Sequence, residues 1–468
     1  MKWNSKEINL NSSIFREYDI RGIADLDLKD EVVSDIGLAM GTMFKEKGVK
    51  TISLGRDCRI SSDRIFNTLS SSLIRTGINI IDLGMITTPV LYFSLYGLDV
   101  DGGIMITASH NPSDYNGFKA AIGKNVLSAK QIQDIEKIIK NKIFSYDKKK
   151  GFIKQLNLID DYKNDILKSI ALNKKVKVGV DCANTPIGVF AKDIMSSAGC
   201  EVYELFPEPD GTFPNHHPDP SVEENLKDLS SLVKEKNLDF GVSFDGDADR
   251  IGVVDEKGNF IYSDMVLLLL ARSVLASNPG AKIIGEVKCS KNLFEDITRN
   301  GGVPIMWRTG HSNIKRKVKE ELAPLAGELS GHIFFADKHH GFDDALYAAL
   351  RLAEVLSFHQ GSFSSMLKNI PEMHSTPEMR IDFPEEEKFE FIKKFSKSMH
   401  DTSDSTVNLV TVDGIRIETK NGWALVRASN TQPALTIRFE ADSKQSLNKL
   451  INFVQDEINK VTDKICIS

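Results

Sequence analysis

The chain has little of what staples a protein or anchors it in a membrane. Only five of its 468 residues are cysteines. They are odd in number and scattered, which excludes a disulfide scaffold and reads as reduced thiols in a cytoplasm. Long apolar runs are also missing. The run from Met265 to Ala271 stops at Arg272, far short of the roughly 20 residues a spanning helix needs. The opening residues hold no apolar signal core, so a cytoplasmic protein without membrane attachment is expected. Basic charge is not in excess. Lys and Arg number 59 against 65 Asp and Glu, a net −6, so no global field invites nucleic acid. Hydrophobic residues at 41% and charged residues at 26% place the chain among ordinary soluble proteins. The length suggests about three domains at roughly 150 residues each.

What is present is alternation. Glu31 to Lys47 carries Val32, Val33, Ile36, Met40, Met43 and Phe44 at helical spacing, and Gly48 ends it. Val49 to Leu54 is a β-rich run. A helix pattern from Ser62 to Thr76 leads through Gly77 to the strand Ile78 to Leu83. This order predicts a mostly parallel sheet covered by helices.

A weak repeat runs through the chain. Three strands end in Gly55-Arg56-Asp57-Cys58, Gly179-Val180-Asp181-Cys182 and Gly285-Glu286-Val287-Lys288-Cys289. Each is followed by a helix pattern, a glycine (Gly77, Gly199 or Gly301) and another strand. Each unit later delivers a polar loop: Ala108 to Pro112, Asp245 to Arg250, and Gly327 to His332. Three α/β units are expected, with chemistry in the loops beyond the strand ends. The tail differs. Thr411 to Glu440 reads as successive strands with turns at Asp413-Gly414 and Asn421-Gly422, and a helix pattern runs from Ser443 to about Val461. A small α+β domain is expected there. Lys148 to Gly151 and the stretch near Pro371 are the candidate linkers.

The loops differ in specificity. Ser109, in Thr107-Ala108-Ser109-His110-Asn111-Pro112, could carry a phosphoryl group if a base or strong positive charge lies near. The same residues could form an ordinary turn. Asp245, Asp247 and Asp249 alternate in Asp-Gly-Asp-Ala-Asp-Arg, and such carboxylates can converge on one hard cation. An EF-hand is disfavoured, because Arg250 occupies the position where that loop needs glycine and the flanks are strand-like. Glu328 and Ser330 are two apart and could grip neighbouring sugar hydroxyls. Arg427, Ser429, Asn430 and Thr431 make a phosphate cradle, or alternatively a hairpin turn. Arg16, Arg21, Lys119, Lys288, Arg308 and His311 are scattered cations. His216, His217, His339 and His340 lack zinc-ligand spacing, and no role is expected of them.

Taken together, these loops resemble the α-D-phosphohexomutase superfamily, and within it the bacterial phosphomannomutase/phosphoglucomutase group. The motifs stand in that family's order from Phe15 to about Glu440. The resemblance implies three tandem α/β domains of shared topology and a C-terminal α+β domain like the TATA-box-binding-protein fold, around a central cleft. The expected domains are 1–154, 155–257, 258–371 and 372–468. It implies that Ser109 carries the phosphoryl group. Asp245, Asp247 and Asp249 would hold one Mg²⁺ with the phosphoserine oxygen, and Arg250 would lie beside them. Glu328 and Ser330 would read the sugar, and Arg427, Ser429, Asn430 and Thr431 its phosphate. Tyr18, Arg21, His110, Lys119, Lys288, His311 and His332 would line the cleft. Lys119, His110 and His332 are all candidates for the general base.

The implied activity interconverts a hexose 1-phosphate and a hexose 6-phosphate, of mannose, glucose or both. It would pass through a 1,6-bisphosphate, with glucose 1,6-bisphosphate or mannose 1,6-bisphosphate as activator. The partner would be a small phosphosugar, and the chain a monomer or homodimer. Leu329 stands where the group usually has methionine. A phosphoglucosamine mutase and a sugar-phosphate phosphatase remain as alternatives. An intact Ser109, acidic triad and phosphate loop argue against a non-catalytic sensor.

Overall fold

The computed structural model describes residues 10–402, 406–429 and 433–467. The first repeat is built on a sheet that includes β1 (Ile20–Ile23), β2 (Thr51–Arg56), β3 (Asn79–Met85), β4 (Gly102–Ile106), β5 (Tyr115–Ile122), β6 (Asn125–Val126) and β7 (Ile153–Gln155). Strands β2, β3 and β4 are parallel, in the order β3-β2-β4. Strand β5 lies antiparallel on β4, and β1 antiparallel on β5. The sequence leads one to expect a mostly parallel sheet. The antiparallel edge arises because only eight residues, 107–114, join β4 to β5. That is too few for a crossover helix.

Helices α1 (Asp30–Glu46), α2 (Ser62–Arg75) and α4 (Ala129–Lys140) share one core with β2 and β4. The helical stripe read from the sequence, Val32, Val33, Ile36, Met40, Met43 and Phe44, is buried in it. Close packing of α1 on α2 depends on Gly41: a Cβ there would stand 2.2 Å from the Thr76 hydroxyl. Between β3 and β4, α3 (Thr88–Gly97) is buried over most of its surface, which is why its sequence shows no polar face.

The second repeat uses the same plan. After α5 (Ile159–Leu167) come β8 (Val176–Asp181), α6 (Ala191–Ser197), β9 (Cys200–Leu205), α7 (Lys227–Lys236), β10 (Phe240–Phe244), β11 (Ile251–Asp255) and β12 (Phe260–Ile261). The parallel order β9-β8-β10 reproduces β3-β2-β4, and β11 again turns back antiparallel. After α8 (Ser263–Ser277), the third repeat supplies β13 (Lys282–Glu286), α9 (Lys291–Arg299), β14 (Val303–Trp307), α10 (His311–Glu321) and β15 (Leu325–Gly327). Their parallel order is β14-β13-β15. In all three repeats the polar loop follows the equivalent strand: β4, β10 or β15. Next come β16 (Ile333–Phe335) and the almost wholly buried α11 (Ala345–Phe358), whose N-cap is the Asp344 carboxylate.

The tail contains β17 (His374–Ser375), β18 (Met379–Asp382), α12 (Lys388–Thr402), β19 (Asn408–Val410), β20 (Ile415–Thr419), β21 (Gly422–Ala428), β22 (Ala434–Ala441) and α13 (Lys444–Asn459). Its strands are antiparallel in the order β17-β22-β21-β20-β19, with β18 also on β22. One face packs Phe391, Phe395, Val454 and Ile458 from the two helices against Val426, Ile437 and Phe439.

Two compact units result. One holds the chain up to Val266 together with Ser330–Ser365, and the other Leu267–Leu329 with Met366 onward. Among the described residues, no helix is long and apolar enough to cross a membrane.

Candidate active site

In the first unit, the β4–β5 loop and the β10–β11 loop meet. Ser109 is buried and takes a left-handed φ of 50°, a conformation that non-glycine residues adopt at a cost. Its Oγ donates to Asp245 Oδ2 at 2.5 Å and lies 3.3 Å from His110 Nδ1. The loop is held by Arg59, whose guanidinium donates to the carbonyls of Ser109 (2.6 Å), Asn111 (2.7 Å), Tyr115 (3.0 Å) and Pro112. Arg59 is itself paired with the buried Asp57 at 3.1 Å. Sequence reading missed Arg59. Its only signal was a place one residue beyond the strand-end turn Gly55 to Cys58.

The acidic residues point inward. Asp245, Asp247 and Asp249 are fully buried, and one oxygen from each lies within 4.8 Å of the others. Asp245 Oδ1 accepts the backbone N–H groups of Asp249 (3.0 Å) and Arg250 (3.1 Å), which closes the loop. Lys119 Nζ reaches Asp247 Oδ2 at 2.7 Å and also Asp249 Oδ2. The Thr88 hydroxyl donates to Asp247 Oδ2. Asp247 Oδ1 and Asp249 Oδ1 are buried and accept no hydrogen bond from the described residues. Buried carboxylate oxygens left this way fit a hard cation with oxygen ligands.

Electrostatics follow from this crowding. Burial and the neighbouring Asp249 and Asp247 push the Asp245 carboxyl well above the usual range. Burial also acts to raise Asp249, but Lys119, His332 and Arg250 outweigh it and hold that carboxyl low. Burial disfavours the charged form of Lys119, yet Asp247, Asp249 and Asp245 win and keep it an ammonium. His110 is pushed well below the ordinary histidine value by burial, with Arg250, Arg21, His332 and Lys119 adding to it.

His332 bridges two charges. Its Nε2 accepts from Arg250 Nε at 3.0 Å, and its Nδ1 lies 3.1 Å from both the Asp249 carbonyl and Asp343 Oδ2. These partners assign the proton to Nδ1. Arg21 donates to Asn111 Oδ1 at 2.5 Å and pairs with Asp19. Tyr18 is half-buried in the turn before β1, and Arg16 beside it is pushed below its ordinary value, chiefly by burial. Ser330 is half-buried, just before Gly331.

The second unit holds Lys288, His311, Glu328 and Arg427, and one polar network joins Lys288 to Arg427. Lys288 Nζ is 3.0 Å from Glu378 Oε2 and 3.6 Å from Glu286 Oε1. Glu286 also accepts the Leu329 N–H at 2.7 Å and the Thr309 hydroxyl at 2.6 Å. Glu328 Oε1 accepts the Gly310 N–H at 2.6 Å, beside the buried His311 at the start of α10. Asp413 Oδ2 joins the Thr309 N–H (3.1 Å) to Arg427 Nε (3.2 Å). Ser429 is half-buried, with its backbone bonded to Ala434 and Lys388. Arg308 is exposed and lies over the Trp307 ring. Asn430 and Thr431 lie outside the described residues. Glu286, Thr309, Glu378 and Asp413 were not singled out as site residues from sequence, because each is a lone polar residue whose partners are remote in the chain.

Comparison with known proteins gives a consistent result. Four family models match in order. They are phosphoglucomutase/phosphomannomutase alpha/beta/alpha domain I over residues 12–146, domain II over 158–258, domain III over 262–374, and the C-terminal domain over 378–457. The phosphomannomutase/phosphoglucomutase of Pseudomonas aeruginosa PAO1 is 43% identical over 98% of both chains. The phosphoglucomutase of Neisseria gonorrhoeae is 41% identical over 95% of this chain and 96% of its own. The crystal structure of a phosphoglucomutase/phosphomannomutase family protein from Burkholderia thailandensis superimposes with a TM-score of 0.89 at 39% identity, covering 97% of each chain. The chain belongs to the phosphoglucomutase/phosphomannomutase family, and is a mutase of hexose phosphates.

Proposed function

We infer that the chain interconverts the 1- and 6-phosphates of mannose, glucose or both, through a phosphoryl group carried on Ser109 and a hexose 1,6-bisphosphate. The observation that carries this reading is the Ser109 hydroxyl, 2.5 Å from Asp245 at the edge of three converging carboxylates.

Phosphoryl transfer is catalysed mainly by positioning and by charge placed in advance. In the forward half, the bond between phosphorus and Ser109 Oγ breaks as a sugar hydroxyl oxygen bonds to phosphorus. In the return half, the other phosphate of the bisphosphate moves to Ser109 Oγ. The left-handed turn at Ser109 and the Arg59 clamp keep Oγ in one place through both halves. Of the three candidate bases, His110 is the one beside Oγ, with Nδ1 3.3 Å away, and it is assigned the proton of the attacking hydroxyl, which it passes to the departing Oγ. Lys119 is held charged and serves the negative phosphoryl oxygens. His332 has its Nε2 lone pair committed to Arg250, so it orients that guanidinium. Asp245, Asp247 and Asp249 would hold Mg²⁺, which neutralises phosphoryl charge when bound. Arg427 and Ser429, together with Asn430 and Thr431, are assigned to the substrate phosphate. Glu328 and Ser330 are assigned to sugar hydroxyls, and Lys288, His311, Tyr18 and Arg21 to substrate binding.

The test has two arms. Mannose, glucose and glucosamine 1-phosphates are supplied separately in a coupled assay, with free phosphate followed. The Ser109 peptide is then weighed after incubation with glucose 1,6-bisphosphate. One added phosphoryl group on Ser109, with 6-phosphate formed and little free phosphate, is the expected outcome. Stoichiometric phosphate release, or full activity in Ser109→Ala, overturns the reading.

A further inference from the structure

A second set of ligand-type side chains converges away from the catalytic loops. His339 and His340 are adjacent in the turn before α11, and Asp165 comes from α5. One ligand atom from each lies within 4.8 Å of the other two. The sequence gives no metal-ligand spacing here, because the third member is 174 residues away from the histidine pair and reaches it only through the fold.

The histidines are prepared for ligation. His339 Nε2 lies 3.2 Å from Asp344 Oδ2. Asp344 already accepts the Tyr162 hydroxyl at 2.9 and 3.0 Å and the Tyr347 N–H at 3.0 Å. A carboxylate used as an acceptor by these groups places the imidazole proton on Nε2 and leaves the Nδ1 lone pair for a ligand. Metal-bound histidines ordinarily carry such an outer carboxylate. The rings are fixed by stacking: His339 on Tyr347 at 4.4 Å and 22°, His340 on Tyr96 at 4.5 Å and 28°. The Tyr96 hydroxyl also donates to the His340 carbonyl at 3.2 Å. His340 Nε2 stands 2.9 Å from Asp165 Oδ2. Two cations are near. Lys168 is 3.4 Å from Asp165 Oδ1 with its side chain 74% exposed, so it can swing away. Lys124 Nζ sits over the Tyr96 ring at 4.3 Å.

We propose that Asp165, His339 and His340 form a partly buried site for a divalent transition-metal ion of the zinc class. Two imidazoles and one carboxylate suit zinc and its neighbours, whereas the all-oxygen Asp245 loop suits magnesium. Three protein ligands leave a further position for water. A bound ion ties α5 to the turn before α11, alongside the Tyr162–Asp344 hydrogen bond. Its effect is on the stability of the folded chain, and turnover does not require it.

The full chain is dialysed against graded Zn²⁺ in the presence of excess Mg²⁺, and bound zinc is counted. Wild type is compared with His340→Phe, which keeps a ring against Tyr96, and with Asp165→Asn. The expected result is one zinc equivalent, bound at micromolar concentration or tighter in wild type and weakened tenfold or more in both variants, with mutase activity in Mg²⁺ retained. Co²⁺ in place of Zn²⁺ should give intense visible bands that both variants lose. Any zinc entering the Asp245 loop adds equally in all three proteins and cancels in the comparison. Equal zinc counts in wild type and variants, or binding lost only in Asp247→Asn, overturn the proposal. If circular dichroism shows that His340→Phe is misfolded, Asp165→Asn decides alone.

Discussion

Ser109 Oγ donates to Asp245 Oδ2 at 2.5 Å although 136 residues separate them. The approach is possible because the residue after Asp245 is glycine. A Cβ on Gly246 would stand 2.1 Å from the Ser109 carbonyl oxygen, so two loops from different repeats touch through bare backbone.

Gly246→Ala should therefore separate the loops without removing any chemical group. Overpacking of this kind costs about 1–3 kcal/mol. The expected outcome is a lower kcat and slower phosphorylation of Ser109, with the chain still folded by circular dichroism. Rates within a factor of two of wild type would show that the contact has no catalytic use.

Arg59 is the anchor of the phosphoryl loop, and its charge is matched by Asp57. Burial pushes Asp57 up and Arg59 down, while each opposes the shift in the other. Arg59→Ala leaves the Asp57 carboxylate buried and unpaired, a change that typically costs about 3–5 kcal/mol. Arg59→Lys keeps the charge but not the fork that reaches four carbonyls. Urea denaturation should rank stability as wild type, then lysine, then alanine. The lysine variant should lose kcat more than it raises KM.

These contacts show where sequence reading succeeds and where it stops. Ser109 and the Asp245 loop were legible because each motif is contiguous and follows a strand of strong β character. The three-fold repeat was legible in the strand-end turns, and it is seen in the equivalent parallel orders around β2, β8 and β13. The antiparallel edges were not foreseen, because they depend on the short loops after β4 and β10. Arg59, Asp343, Glu286 and Asp413 were invisible for a different reason: each is one common polar residue, and only tertiary contact gives it a function. His339 and His340 were set aside on spacing, a rule that holds for local ligand sets but not for one completed by α5.

The buried carboxylates of the Asp245 loop predict a stabilising metal. Binding relieves their mutual repulsion, so Mg²⁺ should raise Tm and a chelator should reverse it. At a hundredfold excess over Kd the folded state gains ~2.7 kcal/mol. Asp247→Asn should flatten this response in thermal denaturation. An equal Mg²⁺ shift in wild type and variant would place the stabilising ion elsewhere.

The Lys288–Glu378 pair predicts an acid limb. The Lys288 ammonium holds the Glu378 carboxyl at about 2, against 4.5 ordinarily. A depressed folded-state value gives stability that is complete above the ordinary value and is lost as pH falls through the lower one. The stability difference between wild type and Glu378→Gln should thus be largest near neutrality and shrink from about pH 5 down to pH 2. Denaturant unfolding at several pH values measures it, and a constant difference would mean that the pair contributes no charge interaction.

Asp413 touches Arg427 Nε at 3.2 Å and the Thr309 N–H at 3.1 Å, so it is read as a positioning residue for the proposed phosphate-binding arginine. The Arg427 contact is an ion pair, and the Thr309 N–H donates to the same carboxylate, a hydrogen bond to a charged group that contributes about 1.5–3 kcal/mol. Asp413→Ala should raise KM for the hexose phosphate by roughly tenfold or more, at 1.4 kcal/mol per decade, with a smaller change in kcat. Arg427→Ala should raise it further. The decisive measurement is the double variant, because residues acting through one another are not additive. If Asp413 works through Arg427, its removal adds little once the guanidinium is gone, and any remainder reports the Thr309 arm. Fully additive effects would separate the two residues and leave Asp413 as a support for the Thr309 turn alone.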